Sequence, residues 1–474
     1  MFNDRTDELA FLEDRWKRAR AELLVVYGRR RVGKSELLLH FAAEKPHVYF
    51  LGDLRSERDQ LAAFTEKLHA FSGDPLLAAQ ALPSWSVALE YLVRLGREQR
   101  ILAVIDEFQY LCDATPALPS ILQRVWDEHG RHSRLLLVLC GSYVSFMERE
   151  VLAYQSPLYG RRTGQMHLEP LTCLDAAPFL VPYGPIDVVQ SYAVLGGMPG
   201  YLAQWDTSRT VAENIATEVL APRSMLRSEA RFLLVEELRE PRNYFSILRA
   251  ISWGKTRLNE IAQEVGLSTR IASRYLDVLR EMGLVERKVP VTQRHPERSR
   301  QGSWQITDNY LAFWFRFVYS NETYLQDHGP EYVLEHRLLP ALSGYTGPRF
   351  EEVCRQYLRR HMGTALFPNE FERIGAWWHA GEEMDVVAVD GDRVALVAEC
   401  KWTNEWMKIG ELNDLRRRVS LAGFPEPVQY ALFSRSGFDP NLTDVARAEG
   451  VSLFGVNDLF KKPARPRRAR SPGS

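Results

Sequence analysis

Short apolar runs alternate with stretches of helical spacing over the first third of the chain, from Asp4 to about Met166. Each run is five or six residues long, the length of a strand that is buried on both faces. The alternation predicts a three-layer α/β domain over residues 1–166. The predicted strands are Leu23–Tyr27, His47–Leu51, Ile101–Ile105 and Leu135–Cys140.

The pattern changes after residue 166, where helical spacing dominates before a second α/β pattern returns. We therefore predict a multidomain α/β fold. The predicted parts after the first domain are a helical lid at 167–240, three short helices with a basic hairpin at 241–306, aromatic connecting helices at 307–347, an α/β domain at 348–460 and a basic disordered tail at 461–474. The most aromatic stretch, TDNYLAFWFRFVYS, predicts one helix over Thr307–Ser320.

The sequence GRRRVGKS lies between the first predicted strand and a helix predicted at Glu36–Glu44. It matches G-x-x-x-x-G-K-[ST], in which backbone N–H groups and a helix N-terminus hold a polyphosphate. Lys34 would reach the β- and γ-phosphates, and Ser35 would bind Mg²⁺ through its hydroxyl. The residues predicted to bind nucleotide are Gly28, Arg29, Arg30, Arg31, Val32, Gly33, Lys34 and Ser35. The alternative is a glycine-rich turn before a core helix, and the three arginines fit contacts to phosphate or to the lid equally well.

ILAVIDEF places an acidic pair at the end of another apolar strand. Asp106 would hold Mg²⁺, and Glu107 would orient or deprotonate the attacking water. Ser142 follows the next strand and would sense the γ-phosphate, because neighbouring parallel strands end at the same edge of a sheet. Arg161 or Arg162, in SPLYGRR, would stabilise charge during phosphoryl transfer. ATP and Mg²⁺ are thus the predicted cofactors; the alternatives are solvated strand ends and an arginine with a structural partner.

The composition bounds the class of protein. The chain has 474 residues, 45% hydrophobic and 26% charged, with a net charge of -1, so global charge favours neither nucleic acid nor membrane as a partner. The N-terminus has no signal-peptide core, and no apolar run approaches the ~20 residues of a membrane helix. Five scattered cysteines without a Cys-x-x-Cys pair argue against a zinc site or a disulfide scaffold. We expect a cytoplasmic protein.

Three segments with helical spacing, Tyr244–Ile251, Leu258–Val265 and Ser268–Met282, predict a helix-turn-helix with its tight turn at Gly266. The basic stretch that follows predicts a wing hairpin. DNA is the predicted partner, through phosphate contacts. The predicted DNA-binding residues are Arg270, Arg274, Arg287, Lys288 and Arg298, and Arg294, His295 and Arg300 add to the positive charge of the wing. The alternative is a winged helix that serves as an internal packing module.

GEEMDVVAVDGDRVALVAECKW predicts a hairpin of two apolar strands with charged residues among them. Asp385 interrupts the first strand, while Glu399 and Lys401 lie two apart and so face the same side of the second. Buried unpaired charge is costly, so this group needs a role. The predicted role is a restriction-endonuclease-like site in which Asp385, Glu399 and Glu351 bind Mg²⁺ and Lys401 activates water or stabilises charge. The alternative is an ion pair at a strand end.

FNDRTDEL, GRRRVGKS, VIDEFQYL, CGS, SPLYGRR and LGGMPGYL occur in the order seen in archaeal-type ATPases, and the chain resembles this group of signal-transducing P-loop ATPases with numerous domains. The resemblance implies that Phe2–Leu9 helps to seat the base. It also implies that the segment Gly196–Pro199, through Gly197 and Pro199, contacts the nucleotide from the lid.

NYLAFWFRFVY, Trp377-Trp378 and AECKW look like the domain of unknown function that follows archaeal-type ATPases. The resemblance implies a nuclease-like C-terminal domain. The expected fold is therefore a P-loop NTPase three-layer sandwich with a helical lid, a winged helix and a C-terminal PD-(D/E)xK-like α/β domain.

Three functions remain as hypotheses. The first is an ATP-hydrolysing switch that controls DNA binding and Mg²⁺-dependent DNA cleavage by the C-terminal domain. The second is an ATP-dependent DNA-binding or signalling switch whose nuclease-like domain does not cleave. The third is an AAA-like oligomer that remodels proteins. The intact acidic positions and lysine favour the first, and the sequence leaves open whether the chain forms a homo-oligomer.

Overall fold

The computed structural model divides the chain into two compact units, Met1–Pro170 with Met198–Gly200, and Leu171–Gly197 with Tyr201–Ser474. It describes residues 5–238, 241–299, 301–425 and 428–461. The predicted tail at 461–474 therefore lies outside the described residues, apart from Lys461. Within these ranges, no helix is long and apolar enough to span a membrane.

The first unit contains a parallel five-stranded sheet with the order β2-β3-β4-β1-β5. Its strands are β1 Glu22–Tyr27, β2 His47–Leu51, β3 Ile101–Asp106, β4 Leu135–Gly141 and β5 Gly164–His167. The four predicted strands are confirmed to within one residue, because strands buried on both faces are continuous apolar runs. Strand β5 was not predicted, because it is an edge strand whose residues GQMH are mostly polar.

Helices of the first unit surround this sheet. They are α1 Thr6–Lys17, α2 Lys34–Ala42, α3 Glu57–Ser72, α4 Pro75–Ala79, α5 Trp85–Glu98, α6 Phe108–Ala114, α7 Leu118–Glu128 and the single turn α8 Val144–Phe146. One face of the sheet packs its apolar residues against α3, α5 and α7, around the buried Trp85. The carboxyl ends of β1, β3 and β4 lie side by side, which positions the loops that follow them.

The second unit is largely helical before its C-terminal sheet. Its helices begin with α9 Cys173–Ala176, α10 Pro185–Leu195, α11 Pro199–Leu202, α12 Val211–Asn214 and α13 Met225–Glu237, and continue with α14 Pro241–Ser252, α15 Leu258–Glu264, α16 Thr269–Glu281, α17 Asn309–Phe313, α18 Glu322–Asp327, α19 Gly329–Val333, α20 Leu339–His361, α21 Ile409–Ala422 and α22 Pro440–Glu449. The short α11 begins in the first unit.

The aromatic segment departs from the single helix predicted over Thr307–Ser320. It consists of α17, a π-helical turn at Trp314–Val318 and a 3-10 turn at Tyr319–Asn321. Its aromatic side chains up to Phe317 are buried, and Trp314 Nε1 donates to the carbonyl of Arg227 at 2.8 Å. The wider π turn accompanies this all-round burial, which one face of a regular helix does not provide.

Helices α14, α15 and α16 form the predicted helix-turn-helix, and a two-stranded antiparallel hairpin follows. Its strands are β6 Val285–Lys288 and β7 Ser303–Ile306. Ser268 caps α16 by accepting a hydrogen bond from the Ile271 N–H.

The C-terminal sheet has the strand order β12-β11-β10-β9-β8. Its strands are β8 Arg373–His379, β9 Glu382–Asp390, β10 Arg393–Lys401, β11 Gln429–Ser434 and β12 Ser452–Gly455. The first three pair antiparallel, and β10, β11 and β12 pair parallel. The hairpin of β9 and β10 was predicted, whereas β8 was not.

Helix α20 runs without interruption from Leu339 to His361 and contains Pro348. A proline inside a helix removes one backbone hydrogen bond. Burial of Leu342 and Tyr345 before the proline, and of Phe350 and Val353 after it, holds the helix together. The predicted boundary between residues 347 and 348 therefore falls within a continuous helix.

Candidate functional site

The loop between β1 and α2 has the backbone that a phosphate cradle requires. A Cβ atom on Gly28 would lie 2.4 Å from the Leu168 carbonyl oxygen, so only glycine fits there. Gly33 has a φ of +95°, which glycine adopts without strain, and it lies against the Pro199 side chain. The loop then enters α2 at Lys34, so the helix N-terminus faces the cradle.

Lys34 is folded over this loop. Its Nζ donates to the carbonyl oxygens of Gly28 at 2.8 Å and Arg29 at 3.0 Å. Burial lowers the pKa of Lys34, and the positive charge of Arg30 acts in the same direction, while Glu107 and Asp106 oppose it. The ammonium group is therefore held at the loop by backbone carbonyls, next to two carboxylates.

Ser35 and Asp106 are in direct contact at the end of β3. Ser35 Oγ donates to Asp106 Oδ2 at 2.7 Å, and Tyr49 on the neighbouring β2 donates to the same oxygen. The Glu107 N–H donates to Oδ1 at 2.9 Å. The hydroxyl and carboxylate oxygens are the hard donors that Mg²⁺ prefers, so Ser35 and Asp106 suit this ion. Tyr49 was not predicted at this site, because it lies on β2 and not on β3, where Asp106 lies.

Glu107 is held beside the end of β4. Its Oε2 accepts hydrogen bonds from the backbone N–H of Ser142 at 3.2 Å and from Ser142 Oγ at 2.7 Å. The fully buried Gln109 also donates to Oε2, and its amide reaches Ser142 Oγ at 3.1 Å. Glu107 has a φ of +51°, a left-handed conformation that costs a non-glycine residue about 1 kcal/mol and is concentrated at functional sites. The structure thus brings Glu107 and Ser142 together, through a residue, Gln109, that the sequence did not single out.

Arg161 is bound to Asp127 in the first unit. Its Nε and Nη2 donate to Asp127 Oδ2 at 3.2 and 2.9 Å, and its Nη1 donates to the Tyr159 carbonyl. Arg162 donates to the Leu152 carbonyl at 2.8 Å. Both arginines therefore have the structural partners that the alternative interpretation described, and a role for Arg161 in catalysis stays a prediction.

The segments Gly196–Pro199 and Phe2–Leu9 were both expected to lie at the nucleotide. The Gly200 N–H donates to the Arg31 carbonyl at 3.1 Å, next to Pro199. In the second unit, a Cβ on Gly197 would lie 1.8 Å from the Leu171 carbonyl oxygen, so this position requires glycine. Of the N-terminal segment Phe2–Leu9, residues 2–4 lie outside the described residues. Arg5 is buried and donates to the carbonyls of Val32 at 3.1 Å and Glu169 at 2.7 Å.

The helix-turn-helix exposes Arg270 and Arg274 on α16. The basic residues of the wing are mostly occupied within the protein. Arg287 donates to the carbonyls of Pro296, at 3.1 Å, and Ser299, and Lys288 pairs with Glu286 at 3.2 Å. Arg298 is 82% exposed, and Arg300 lies outside the described residues.

The wing is docked on the C-terminal sheet, within the second unit. The Val291 N–H donates to the Ala376 carbonyl of β8 at 3.0 Å, and Arg373 donates to the carbonyls of Val291 at 2.9 Å and Gln293 at 3.2 Å. Arg294 forms an ion pair with Asp392. Because β8 is an edge strand, the wing covers an edge that would otherwise be unpaired.

The predicted C-terminal site is assembled at the ends of β9 and β10. Asp385 Oδ2 accepts a hydrogen bond from the Cys400 N–H at 2.8 Å. Lys401 Nζ donates to Glu399 Oε1 at 2.6 Å, and Arg418 of α21 lies 3.0 Å from Oε2. Glu399 is buried, and each of its carboxylate oxygens is thus next to a cation. Arg418 was not predicted, because it comes from a helix beyond the motif.

Three carboxylates interact at this C-terminal site. Burial raises the pKa of Asp385 to about 8, and the charges of Glu399 and Glu351 add to the effect. Burial also raises the pKa of Glu351, which lies 3.7 Å from Arg355. No group of three or more histidine, cysteine or acidic residues arranged to hold a metal occurs in the ranges that the structure describes.

Three known protein families match successive parts of the chain. Residues 2–205 match the family described as an ATPase domain predominantly from Archaea. Residues 245–287 match the family of bacterial regulatory proteins of the arsR type, which provides a helix-turn-helix. Residues 314–413 match archaeal and bacterial proteins of unknown function. The class of protein is therefore an ATPase with a P-loop core, a helix-turn-helix and a C-terminal sheet domain.

One relative extends over almost the whole chain. The uncharacterized protein MJECL04 of Methanocaldococcus jannaschii is 32% identical over 441 residues, which are 91% of this chain and 94% of that protein. The chain belongs to the family of this archaeal protein.

Two solved structures are similar to parts of the chain. The Walker-type ATPase PABY2304 of Pyrococcus abyssi has 22% identity and a TM-score of 0.48, covering 66% of this chain and 96% of its own. The ORC2 protein of Aeropyrum pernix has 16% identity and a TM-score of 0.43, covering 67% of this chain and 94% of its own.

Proposed function

We propose that the chain is an ATP-hydrolysing switch that controls the binding of its helix-turn-helix to DNA. The contact between Ser35 and Asp106 carries the proposal, because it joins the phosphate loop to the acidic strand end. Lys34 would bind the β- and γ-phosphates, and Glu107 would accept the proton of the attacking water. Bound Mg²⁺ would neutralise phosphate charge between Ser35 and Asp106.

The ATPase site is tested with Lys34→Ala and Glu107→Gln. We expect Lys34→Ala to lose ATP binding, and Glu107→Gln to keep it while turnover falls by about 100-fold or more, since general bases contribute typically 10²–10⁴-fold. Phosphate release and nucleotide binding are measured on the full chain. Glu128→Gln, at an exposed position away from the site, is the matched control. Unchanged hydrolysis in Lys34→Ala would show that the proposed site is not the ATPase site.

The exposed Arg270 and Arg274 support DNA binding through α16, because arginines on the second helix of such a motif contact phosphates or base edges. The charge-removing double variant Arg270→Ala/Arg274→Ala should weaken duplex binding and lower the slope of log affinity against log salt by about two, one for each lost phosphate contact. Fluorescence anisotropy measures both. Arg280→Ala, which lies on the same helix but pairs with Asp277, is the control. A salt slope equal to that of the unmodified chain would exclude α16 as the DNA contact.

Magnesium-dependent DNA cleavage by the C-terminal domain is a second candidate function. The raised pKa of Asp385 favours it, because a cluster of carboxylates is relieved by a bound cation. The described residues contain no preformed metal-binding group of three such residues, so the carboxylates of Glu351, Asp385 and Glu399 would have to move closer together to bind Mg²⁺. The ion would then act as a Lewis acid, and Lys401 would orient water or stabilise charge. The helix α20 packed on β9 and β10, with α21 leading into the parallel β11, supports a PD-(D/E)xK-like fold.

Cleavage is tested with supercoiled plasmid and linear DNA in Mg²⁺ or Mn²⁺, with and without ATP. Glu399→Ala should abolish nicking, and Glu405→Ala, on an exposed loop after β10, should not. Nicking that persists in Glu399→Ala would exclude this site. DNA binding without nicking under every condition would leave the non-cleaving switch as the function.

A further inference from the structure

We infer that Gln109 is a positioning residue of the ATPase site. Its side-chain amide anchors one carboxylate oxygen of Glu107, Oε2, so that the other oxygen, Oε1, is presented to the attacking water and takes its proton. The inference rests on the proposed ATP hydrolysis and deepens it, because it assigns the atom that accepts the proton and the residue that orients it.

Three hydrogen-bond donors converge on a single oxygen of the Glu107 carboxylate. Oε2 accepts from the Ser142 N–H at 3.2 Å, from Ser142 Oγ at 2.7 Å and from the amide of Gln109. Oε1 accepts no hydrogen bond from any residue that the structure describes, and Glu107 is only partly buried. A carboxylate that is anchored through one oxygen cannot rotate freely, so Oε1 keeps a fixed position and its lone pairs face a possible substrate.

The amide of Gln109 has one orientation that suits this network. An ionised carboxylate accepts hydrogen bonds and cannot donate them, so the NH2 end of the amide must face Glu107. The same nitrogen lies 3.1 Å from Ser142 Oγ, whose own proton goes to Glu107. Gln109 therefore completes a triangle of hydrogen bonds that ties the end of β4 to the proposed general base.

Packing holds the Gln109 side chain in place. It is fully buried on α6, two residues after Glu107. A Cβ atom on Gly141, the last residue of β4, would lie 2.9 Å from Gln109 Oε1, so this glycine leaves the space that the amide occupies. A side chain enclosed in this way has few rotamers left, and its N–H groups stay directed at the carboxylate.

A second buried glutamine of the same unit, Gln60, shows what a structural glutamine looks like. Both glutamines bury an Oε1 atom that has no hydrogen-bond partner among the described residues, which is costly in either case. The Nε2 of Gln60 donates to three backbone carbonyls at 3.0 to 3.4 Å and so joins segments of the fold. The Nε2 of Gln109 donates instead to the side chains of Glu107 and Ser142, both at the ATPase site.

The reaction step balances without a further reactant. The oxygen of water forms a bond to the γ-phosphorus, and the bond from phosphorus to the β,γ-bridging oxygen breaks, with its electron pair leaving on ADP. Glu107 Oε1 takes a proton of the water. When the Ser142 hydroxyl turns its proton toward the γ-phosphate, as predicted for a sensor, the Gln109 amide and the Ser142 N–H still anchor Oε2.

The test compares Gln109→Met with Gln60→Met in the full chain, by phosphate release and by titration with ADP. Methionine has a side chain of similar length and volume but donates no hydrogen bond. Gln109→Met should lower kcat by about tenfold, because it removes a hydrogen bond to a charged group, while the Kd for ADP changes by less than about threefold. Gln60→Met is the matched control. It should lower the melting temperature at least as much as Gln109→Met does and yet keep kcat within about threefold of the unmodified chain.

A double-mutant cycle with Glu107→Gln provides a readout that a structural role would not change. Because Gln109 acts through Glu107, adding Gln109→Met to Glu107→Gln should alter kcat by less than about threefold. A further loss of about tenfold in the double variant would overturn the inference, as would a kcat for Gln109→Met within about threefold of the unmodified chain. The proposed ATPase function fails separately, if Lys34→Ala hydrolyses ATP as fast as the unmodified chain.

Discussion

Asp106 and Asp385 show how the partners of a side chain decide its chemistry. Asp106 receives hydrogen bonds from the hydroxyls of Ser35 and Tyr49 and from the Glu107 N–H. Such donors stabilise a buried carboxylate. Asp385 receives one backbone hydrogen bond, from Cys400, and has two further carboxylates nearby. The aspartate at the end of β3 therefore has several hydrogen-bond donors, whereas the negative charge of the aspartate on β9 is disfavoured by its surroundings.

The raised pKa of Asp385 predicts that the stability of the folded chain depends on pH. Its pKa is raised to about 8, so the proton is bound more tightly in the folded chain than in the unfolded one. The stability from this group is complete below the unfolded pKa of about 4 and is lost as the pH rises through about 8. Asp385→Asn removes the charge and should raise the free energy of unfolding at pH 8.5 by on the order of 5 kcal/mol, since the pKa is raised by about four units and each unit is worth about 1.4 kcal/mol.

Thermal melting of the full chain between pH 4.5 and 8.5 measures this difference. The gap between Asp385→Asn and the unmodified chain should widen over that interval, and Mg²⁺ at pH 8.5 should narrow it if the carboxylates bind the ion. Asp444→Asn, an exposed substitution on α22, should show no such trend. If the difference in melting temperature between Asp385→Asn and the unmodified chain did not change with pH, the charged form of Asp385 would not destabilise the fold as proposed.

Which single residues could be predicted depended on whether a local motif contained them. Lys34, Ser35, Asp106 and Glu107 follow from spacing, because a phosphate loop and an acidic strand end are local patterns. Tyr49 contacts Asp106, Gln109 contacts Glu107, and Arg418 contacts Glu399 at the C-terminal site. None of these three residues is part of a local motif. Only the three-dimensional arrangement brings each of them to its partner.

The wing and strand β8 form the most informative pair of elements. An ordinary wing is a free hairpin, but here Arg373 and the Ala376 carbonyl hold its loop through Val291 and Gln293. Arg373→Ala removes both of its hydrogen bonds to the wing, along with one to the Gly391 carbonyl. It should speed amide hydrogen exchange of Val291 by about tenfold, the effect of roughly 1.4 kcal/mol of lost local stability.

Hydrogen exchange followed by mass spectrometry measures the wing peptide and α16 in the same experiment. The exchange of α16 should stay as in the unmodified chain, because its capping contacts do not involve Arg373. Arg447→Ala, on the exposed face of α22, is the control. Unchanged exchange of the wing peptide in Arg373→Ala would show that this arginine does not hold the wing.

Elements were predictable where burial gives a simple pattern. The strands β1 to β4 are continuous apolar runs and were found within one residue. Strand β8, RIGAWWH, was missed because its edge position leaves most of its side chains only partly buried. The domain boundary predicted between residues 347 and 348 falls inside helix α20, because apolar contacts on both sides of Pro348 keep the helix continuous.

The whole chain combines three candidate sites in one polypeptide. The first unit carries an ATPase site, and the second carries exposed arginines on α16 and a carboxylate cluster at β9 and β10. The wing packs on the C-terminal sheet, so the helix-turn-helix and the cluster belong to one compact unit. DNA held by α16 would therefore be held by the unit that contains the carboxylates, and the ATPase unit would set when this happens.

Control of DNA binding by the ATPase unit is measured as the affinity for DNA in different nucleotide states. Glu107→Gln should hold ATP without hydrolysing it, so its duplex Kd can be measured by anisotropy with ATP, with ADP and without nucleotide. The account predicts a difference of about tenfold or more between ATP and ADP, within the usual range of 5–150-fold for coupled sites, and an equal effect of DNA on the Kd for ATP. Lys34→Ala should bind DNA with the same Kd in the presence of ATP, in the presence of ADP and without nucleotide. Identical DNA affinities for the ATP-bound and ADP-bound forms of Glu107→Gln would contradict the account.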